Sequence, residues 1–248
     1  MATGTVAYPI KLSIDYPDRP LNRLTSFFRI FTIIPIGFIA VIMMQTLPFL
    51  QISTTYNTNE QEMNYFFTRF FTSGIDVGDL IVLTVVAVLL VPIIIFIAGF
   101  ITNLFNPIVL MLVFRQKYPK WWFDYFVALI KFITRVGSYL TLLTDVYPST
   151  DEDQNVHIEI NYPDAEKDLS QGLPLIKWFL AIPHYIVLAF VAIAACVCAI
   201  LIWFAILFTG RAPRGLFDFI VGFYRWSLRV SAYAFFQFTD KYPPFSLN

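Results

Sequence analysis

LPLIKWFLAIPHYIVLAFVAIAACVCAILIWFAILF, residues 173–208, is the stretch on which the fold turns. Lys177 is its only charged residue and His184 its only histidine. As a straight helix of about 36 residues it reaches roughly 54 Å, against a bilayer hydrocarbon core of roughly 30 Å. Two further apolar runs, 27–50 and 80–114, also exceed the roughly 20 residues that one helical crossing requires.

The whole composition agrees with these runs. Hydrophobic residues make up 58% of the 248-residue chain and charged residues only 14%, with a mean hydropathy of +0.67. A water-soluble domain is roughly half apolar and about a quarter charged, so the excess apolar surface calls for a solvent other than water. Formal net charge is zero, which removes the electrostatic case for nucleic acid. Aromatics reach 18%, and many Tyr and Trp residues stand near the ends of the apolar runs, where rings bury while polar tips stay wet. Cys196 and Cys198 lie two residues apart on one apolar run. That spacing places them on different helix faces, unsuited to a shared metal or disulfide.

Outward from the opening stretch, the sequence repeats itself. KLSIDYPD at 11–18 answers HIEINYPD at 157–164, and FFRIFTIIP at 27–35 answers LIKWFLAIP at 175–183. Asp124, Lys131, Arg135 and Tyr139 match Asp218, Arg225, Arg229 and Tyr233 at one constant offset. Thr144, Asp145, Tyr147 and Pro148 match Thr239, Asp240, Tyr242 and Pro243 one residue further on. Self-similarity of this kind predicts two copies of one supersecondary unit. The first spans residues 1–150 and carries an inserted polar loop, 51–79; the second spans 151–248. Each copy opens with an alternating, strand-like segment closed by Pro17 or Pro163. A lone strand is unstable, so the two strands are expected to pair with each other across a pseudo-twofold axis. An apolar membrane segment, a basic turn (115–120 or 210–215) and an aromatic helix with one charged stripe follow. The fold class expected is mainly α and integral to the membrane: two tandem pseudo-symmetric units, each a short β-strand, apolar membrane helices and an amphipathic interfacial helix.

Topology is written less completely. Arg115, Lys117, Lys120, Arg211 and Arg214 belong on the cytoplasmic side by the positive-inside rule, and the insert, with Arg69 as its only basic residue, belongs outside. Run 27–50 then goes out and 80–105 returns. Run 173–208 admits two readings: one tilted span, preceded by a turn broken at Pro183, or a hairpin with its tip near 194–197. No Gly, Pro or Asn stands between His184 and Phe208 to make that tip.

The charged stripe is the main candidate for a specific site. Asp218, Arg225 and Arg229 fall at i, i+7 and i+11, on one helical face, as do Asp124, Lys131 and Arg135. The four basic groups could hold lipid phosphates, each contributing about 1 kcal/mol near an anionic surface. They could instead pair with Asp124 and Asp218 across the repeat axis. The plainer reading is a charged side that faces headgroups and water. His184 and His157 read as structural, because a metal site needs three or four ligands. The acidic residues from Asp145 to Asp168 lack the glycine of a calcium loop. No nucleophile elbow, phosphate loop or dinucleotide fingerprint is present in the sequence. No cofactor, metal or catalytic residue is therefore expected. Membrane lipids and other membrane subunits are the expected partners, and nucleic acid is not.

The stretches LIKWFLAIPHYIVL, ILFTGRAPRGLFDFIVGFYRWSLRVSAY and TDKYPPFSL resemble a family of bacterial membrane proteins known only as a domain of unknown function. The likeness runs from about Val156 to Leu247. The first half is a diverged copy, with Pro35-Ile36 where the pattern has Pro-His and Pro148-Ser149 where it has a double proline. The resemblance implies a multi-pass protein of a bacterial inner membrane and no particular activity. Few ionisable groups converge within the apolar runs, which points to a non-enzymatic accessory or structural subunit of a larger membrane complex. A small-solute or lipid transporter and a lipid-modifying membrane enzyme stand as alternatives.

Overall fold

Ile10, Leu12 and Ile14 alternate with Lys11 and Ser13, and Val156 and Ile158 alternate with His157 and Glu159. Such a period of two makes one strand face apolar and the other wet. The computed structural model describes residues 8–17, 20–44, 101, 106–150, 152 and 154–248. Both alternating segments are strands, β1 (Ile10–Ile14) and β2 (Val156–Ile160), with the apolar side chains of Ile10, Leu12, Ile14, Val156 and Ile158 buried. They pair antiparallel, Leu12 opposite Ile158, Lys11 opposite Glu159 and Ser13 opposite His157. Leu12 and Ile158 are positions that the alignment of the two halves equates, so the register is centred on one such pair. The inserted segment 51–79, residues 45–50, and residues 80–100 and 102–105 lie outside the described residues. Of the outward crossing expected over 27–50, residues 27–44 are described and form short helical pieces that end in Ile34–Met44, whereas the returning crossing expected over 80–105 lies outside the described residues apart from Ile101.

After β1 come three short helices, α1 (Arg23–Phe27), α2 (Arg29–Thr32) and α3 (Ile34–Met44). The Asn22 side chain caps α1 by accepting from the Leu24 N–H at 2.9 Å. Helix α4 (Pro107–Arg115) starts with proline, whose missing N–H costs nothing in a first turn, and Asn106 caps it. The aromatic helix α5 (Lys120–Leu140) closes the first half. Past β2, the short α6 (Ala165–Asp168), a 3-10 turn at Leu173–Leu175 and α7 (Lys177–Leu180) lead into α8 (Ile182–Thr209) and α9 (Arg214–Ala234).

The halves interlock. β1 packs against α9 and β2 against α5, so each strand rests on the helix of the other half. Two tyrosines fix this exchange. The Tyr16 hydroxyl donates to the Ala212 carbonyl at 2.6 Å, and the Tyr162 hydroxyl donates to the Tyr118 carbonyl. Their rings meet Phe217 and Phe123 edge-on, with centroids at 5.1 and 5.2 Å. The carbonyls belong to residues directly preceding Pro119 and Pro213, where α5 and α9 begin. Beneath the strands lies one apolar cluster that includes Phe123, Phe126, Phe217, Ile220, Phe236 and Phe238. Each fully buried side chain of this size contributes about 1.5–3 kcal/mol.

Helix α8 is a single uninterrupted helix of 28 residues, so the hairpin with a tip near 194–197 is excluded. The physical reason is local: beyond Pro183 no Gly, Pro or Asn interrupts the stretch, and nothing in it takes a left-handed turn until Gly210, at φ 77°, ends the helix. Its length is about 42 Å at 1.5 Å per residue, enough to cross a hydrocarbon core of about 30 Å with tilt. Only 11% of its most apolar 18-residue window is buried inside the chain. A narrow stripe, Ala195, Ile202 and Ile206, packs inward at i, i+7 and i+11, while Phe190, Ile193 and Phe208 stand exposed.

Candidate functional site

Burying a cation in an apolar fold is expensive unless it is paired and its remaining donors are satisfied. Arg29 and Lys177 are both buried, and each pairs with an aspartate and donates to backbone carbonyl oxygen. Arg29 forms an ion pair with Asp145 through Nη2. Its Nη1 donates to the carbonyls of Thr144 at 2.7 Å and Tyr139 at 2.8 Å. The guanidinium lies 4.3 Å from the Tyr139 ring centroid. Lys177, with no exposed surface, pairs with Asp240 at 2.6 Å and donates to the Thr239 carbonyl at 2.8 Å. Its ammonium is 5.3 Å from the Tyr233 ring. Burial pushes the Lys177 amine below its ordinary pKa, and the bond to Asp240 opposes that shift.

Each aspartate also ties down the chain that enters the apolar segment. Asp145 accepts from the Asn22 N–H at 2.7 Å, and Asp240 accepts from the Ser170 N–H at 2.6 Å and its hydroxyl at 2.5 Å. The result is two cross-braces, each joining a cation near the start of an apolar segment to the Thr-Asp pair that follows an aromatic helix. The sequence signal was present in the basic residue six positions before Pro35 and Pro183 and in the two Thr-Asp-x-Tyr-Pro motifs. Sequence spacing alone does not join them, because Arg29 and Asp145 are 116 residues apart.

The arginines of the charged stripe find their partners in backbone carbonyls. Arg135 is 5% exposed and Arg229 8%. Arg135 Nη1 donates to the Ser149 carbonyl at 3.0 Å; Arg229 donates to the carbonyls of Ser246, at 3.4 Å, and Asn248. Arg225 reaches the Leu12 carbonyl at 3.2 Å and the Leu247 carbonyl at 3.0 Å, stitching β1 to the C-terminal segment. In each half, the chain beyond the aromatic helix folds back over the stripe and offers it carbonyl oxygens. Burial lowers the Arg229 pKa, and the positive charge of Arg225 adds to that shift. A guanidinium nevertheless remains charged at any physiological pH. Lys131 is half-buried, whereas Asp124 and Asp218 are exposed. Among the described residues, neither aspartate takes part in an ion pair.

His184 is buried in an aromatic box. Its Nδ1 accepts from Trp226 Nε1 at 3.2 Å, and its ring stacks on Phe245 with centroids 3.8 Å apart. This packing pins the C-terminal segment to the start of α8. His157 lies on the exposed strand face, 3.0 Å from an Asp15 oxygen. Among the described residues, no three His, Cys, Asp or Glu side chains converge in a way that could hold a metal.

A cleft of about 670 Å³ lies between α4 and α6, at the start of α5. Lys117, Tyr118, Trp121, Tyr162 and Glu166 line it. At the matching position in the other half, Arg214 sits 4.7 Å above the ring of Tyr16.

No curated protein and no solved structure matches the chain. Residues 174–246, which carry Lys177, His184, α8, α9 and Asp240, match the model of a domain of unknown function (DUF4389).

Proposed function

We propose that this chain is a non-enzymatic integral membrane protein, an accessory or structural subunit of a larger assembly in a bacterial inner membrane. The observation that carries this reading is α8: 28 residues, strongly apolar, and only 11% buried in its most apolar window. A core helix of a soluble protein is covered by its own fold, whereas this one offers its flanks to a surrounding solvent. Lipid is the solvent such a surface fits. The deployment of charge supports the accessory role. Arg29, Lys177, Arg135 and Arg229 are spent on internal braces and carbonyl caps, which leaves them unaimed at any substrate.

Two pseudo-symmetric units, 1–150 and 151–248, are part of the proposal. Supporting it are the strand register centred on Leu12 and Ile158, the paired tyrosine docks, the paired cross-braces, and left-handed residues at the equated positions Leu142 and Gln237. An axis normal to the two-stranded sheet leaves its polar face, Lys11, Ser13, His157 and Glu159, pointing to water at a membrane surface.

The test is purification of the full chain from its native membrane in mild detergent, followed by native mass analysis of the particle. A stoichiometric protein partner is the expected result. A lone monomer that turns over a substrate overturns the accessory reading.

A further inference from the structure

Tyr16 and Tyr162 occupy equated positions, make the same hydroxyl-to-carbonyl bond and meet equated phenylalanines, yet their ring faces differ. Over Tyr16 lies the guanidinium of Arg214. The residue equated with Arg214 is Lys120, and among the described residues no cation covers Tyr162. Tyr162 is 46% exposed and lines the cleft of about 670 Å³ instead. One half of the molecule thus shows which group this subsite accepts, and the other half leaves it open.

We propose that the cleft at Tyr162 binds the ammonium-bearing headgroup of a zwitterionic phospholipid. An ammonium group over a tyrosine face is held by the ring quadrupole, as Arg214 is over Tyr16. Glu166 on the cleft wall supplies a carboxylate for the same cation, and Lys117 supplies a cation for the adjoining phosphate. Asp164 also lines the cleft, but it is already paired with Lys167 at 3.0 Å. Trp121 and Phe114, 69% and 78% exposed, continue the apolar surface of α4 toward the cleft. Acyl chains lying along that surface bring a headgroup to this level. This inference rests on the membrane reading given above.

The experiment uses the full chain in nanodiscs of equimolar phosphatidylethanolamine, phosphatidylcholine and phosphatidylglycerol, with native mass spectrometry of lipids retained after release. Ammonium-bearing lipids should be retained over phosphatidylglycerol by at least about fivefold, the ratio expected of one partly desolvated cation–π contact. Lys120→Arg, a mild surface change, should fill the subsite from within and bring the ratio toward one; Glu166→Gln should lower it as well. Retention without headgroup preference overturns the headgroup site alone, and so does a wild-type ratio that Lys120→Arg leaves unchanged. A chain that stays monodisperse in water and never enters the disc overturns the membrane reading, and the headgroup site with it.

Discussion

Lysine and arginine answer burial differently, and the two cross-braces hold one of each. Removing the carboxylate from a buried pair leaves an uncompensated cation, at a cost of about 3–5 kcal/mol. Asp145→Asn and Asp240→Asn should therefore both destabilise strongly at pH 7, as read by thermal unfolding in detergent through tryptophan fluorescence. Their pH dependence should diverge. The folded pKa of Lys177 lies below its ordinary value of 10.5, so the folded chain releases this proton while the unfolded chain still holds it. Stability therefore rises with pH between those two values. Without Asp240 the ammonium loses its partner and deprotonates sooner, so the deficit of Asp240→Asn should shrink as pH climbs toward 10. A guanidinium, unlike an amine, keeps its proton across this range, so the deficit of Asp145→Asn should persist. Equal pH behaviour in the two variants would show that charge burial is not what the aspartates relieve. At this scale the sequence was legible in part. The stripe of Lys131, Arg135, Arg225 and Arg229 stood out because helical spacing is visible in one dimension. Arg29 and Lys177 did not, because each finds its aspartate only after the chain has folded back.

Elements were more readable, since their causes are local. Alternation marked β1 and β2, and the absence of any turn former between His184 and Phe208 favoured the single helix that α8 proves to be. What closes α8 is equally local. Gly210 adopts φ 77°, and a Cβ added there would meet nothing nearer than the Pro20 Cβ at 3.5 Å. Gly210→Ala should thus cost about 1–2 kcal/mol through backbone strain alone. The same thermal assay checks this, and a neutral result would mean that the turn relaxes. Gln116, the equated residue after α4, already bears such a conformation at φ 47°. The capping role is therefore common to both turns, whereas the glycine is not. Alignment of the two turns gave no sign of it, because glutamine and glycine share no chemistry. The fold-back of the chain over the charged stripes was also illegible. It depends on backbone carbonyls of Ser149, Ser246, Leu247 and Asn248, which every residue type carries alike.

Taken whole, the molecule has a wet end and an oily flank. The sheet's exposed face carries the Lys11–Glu159 ion pair and the His157–Asp15 contact, and α8 carries exposed apolar side chains such as Phe190, Ile193 and Phe208. Composition announced the oily flank from the start. The interlocking of β1 with α9 and β2 with α5 was anticipated only as far as strand pairing, because which helix supports which strand is a property of three-dimensional packing. The membrane reading can be tested with a native reporter. Cys196 lies midway along α8 and is exposed, so its thiol is accessible to any reagent that shares its solvent. In water, a charged maleimide should alkylate it within minutes, since a thiol on an exposed residue is open to the reagent. In a bilayer the same thiol sits at hydrocarbon depth, where a charged reagent does not enter. Full-length protein in nanodiscs should leave Cys196 unlabelled until the discs are dissolved in denaturing detergent, with Thr209→Cys at the end of α8 labelled throughout as the control. Labelling of Cys196 in intact discs at the rate of the Thr209 control would place α8 in water and end the membrane reading.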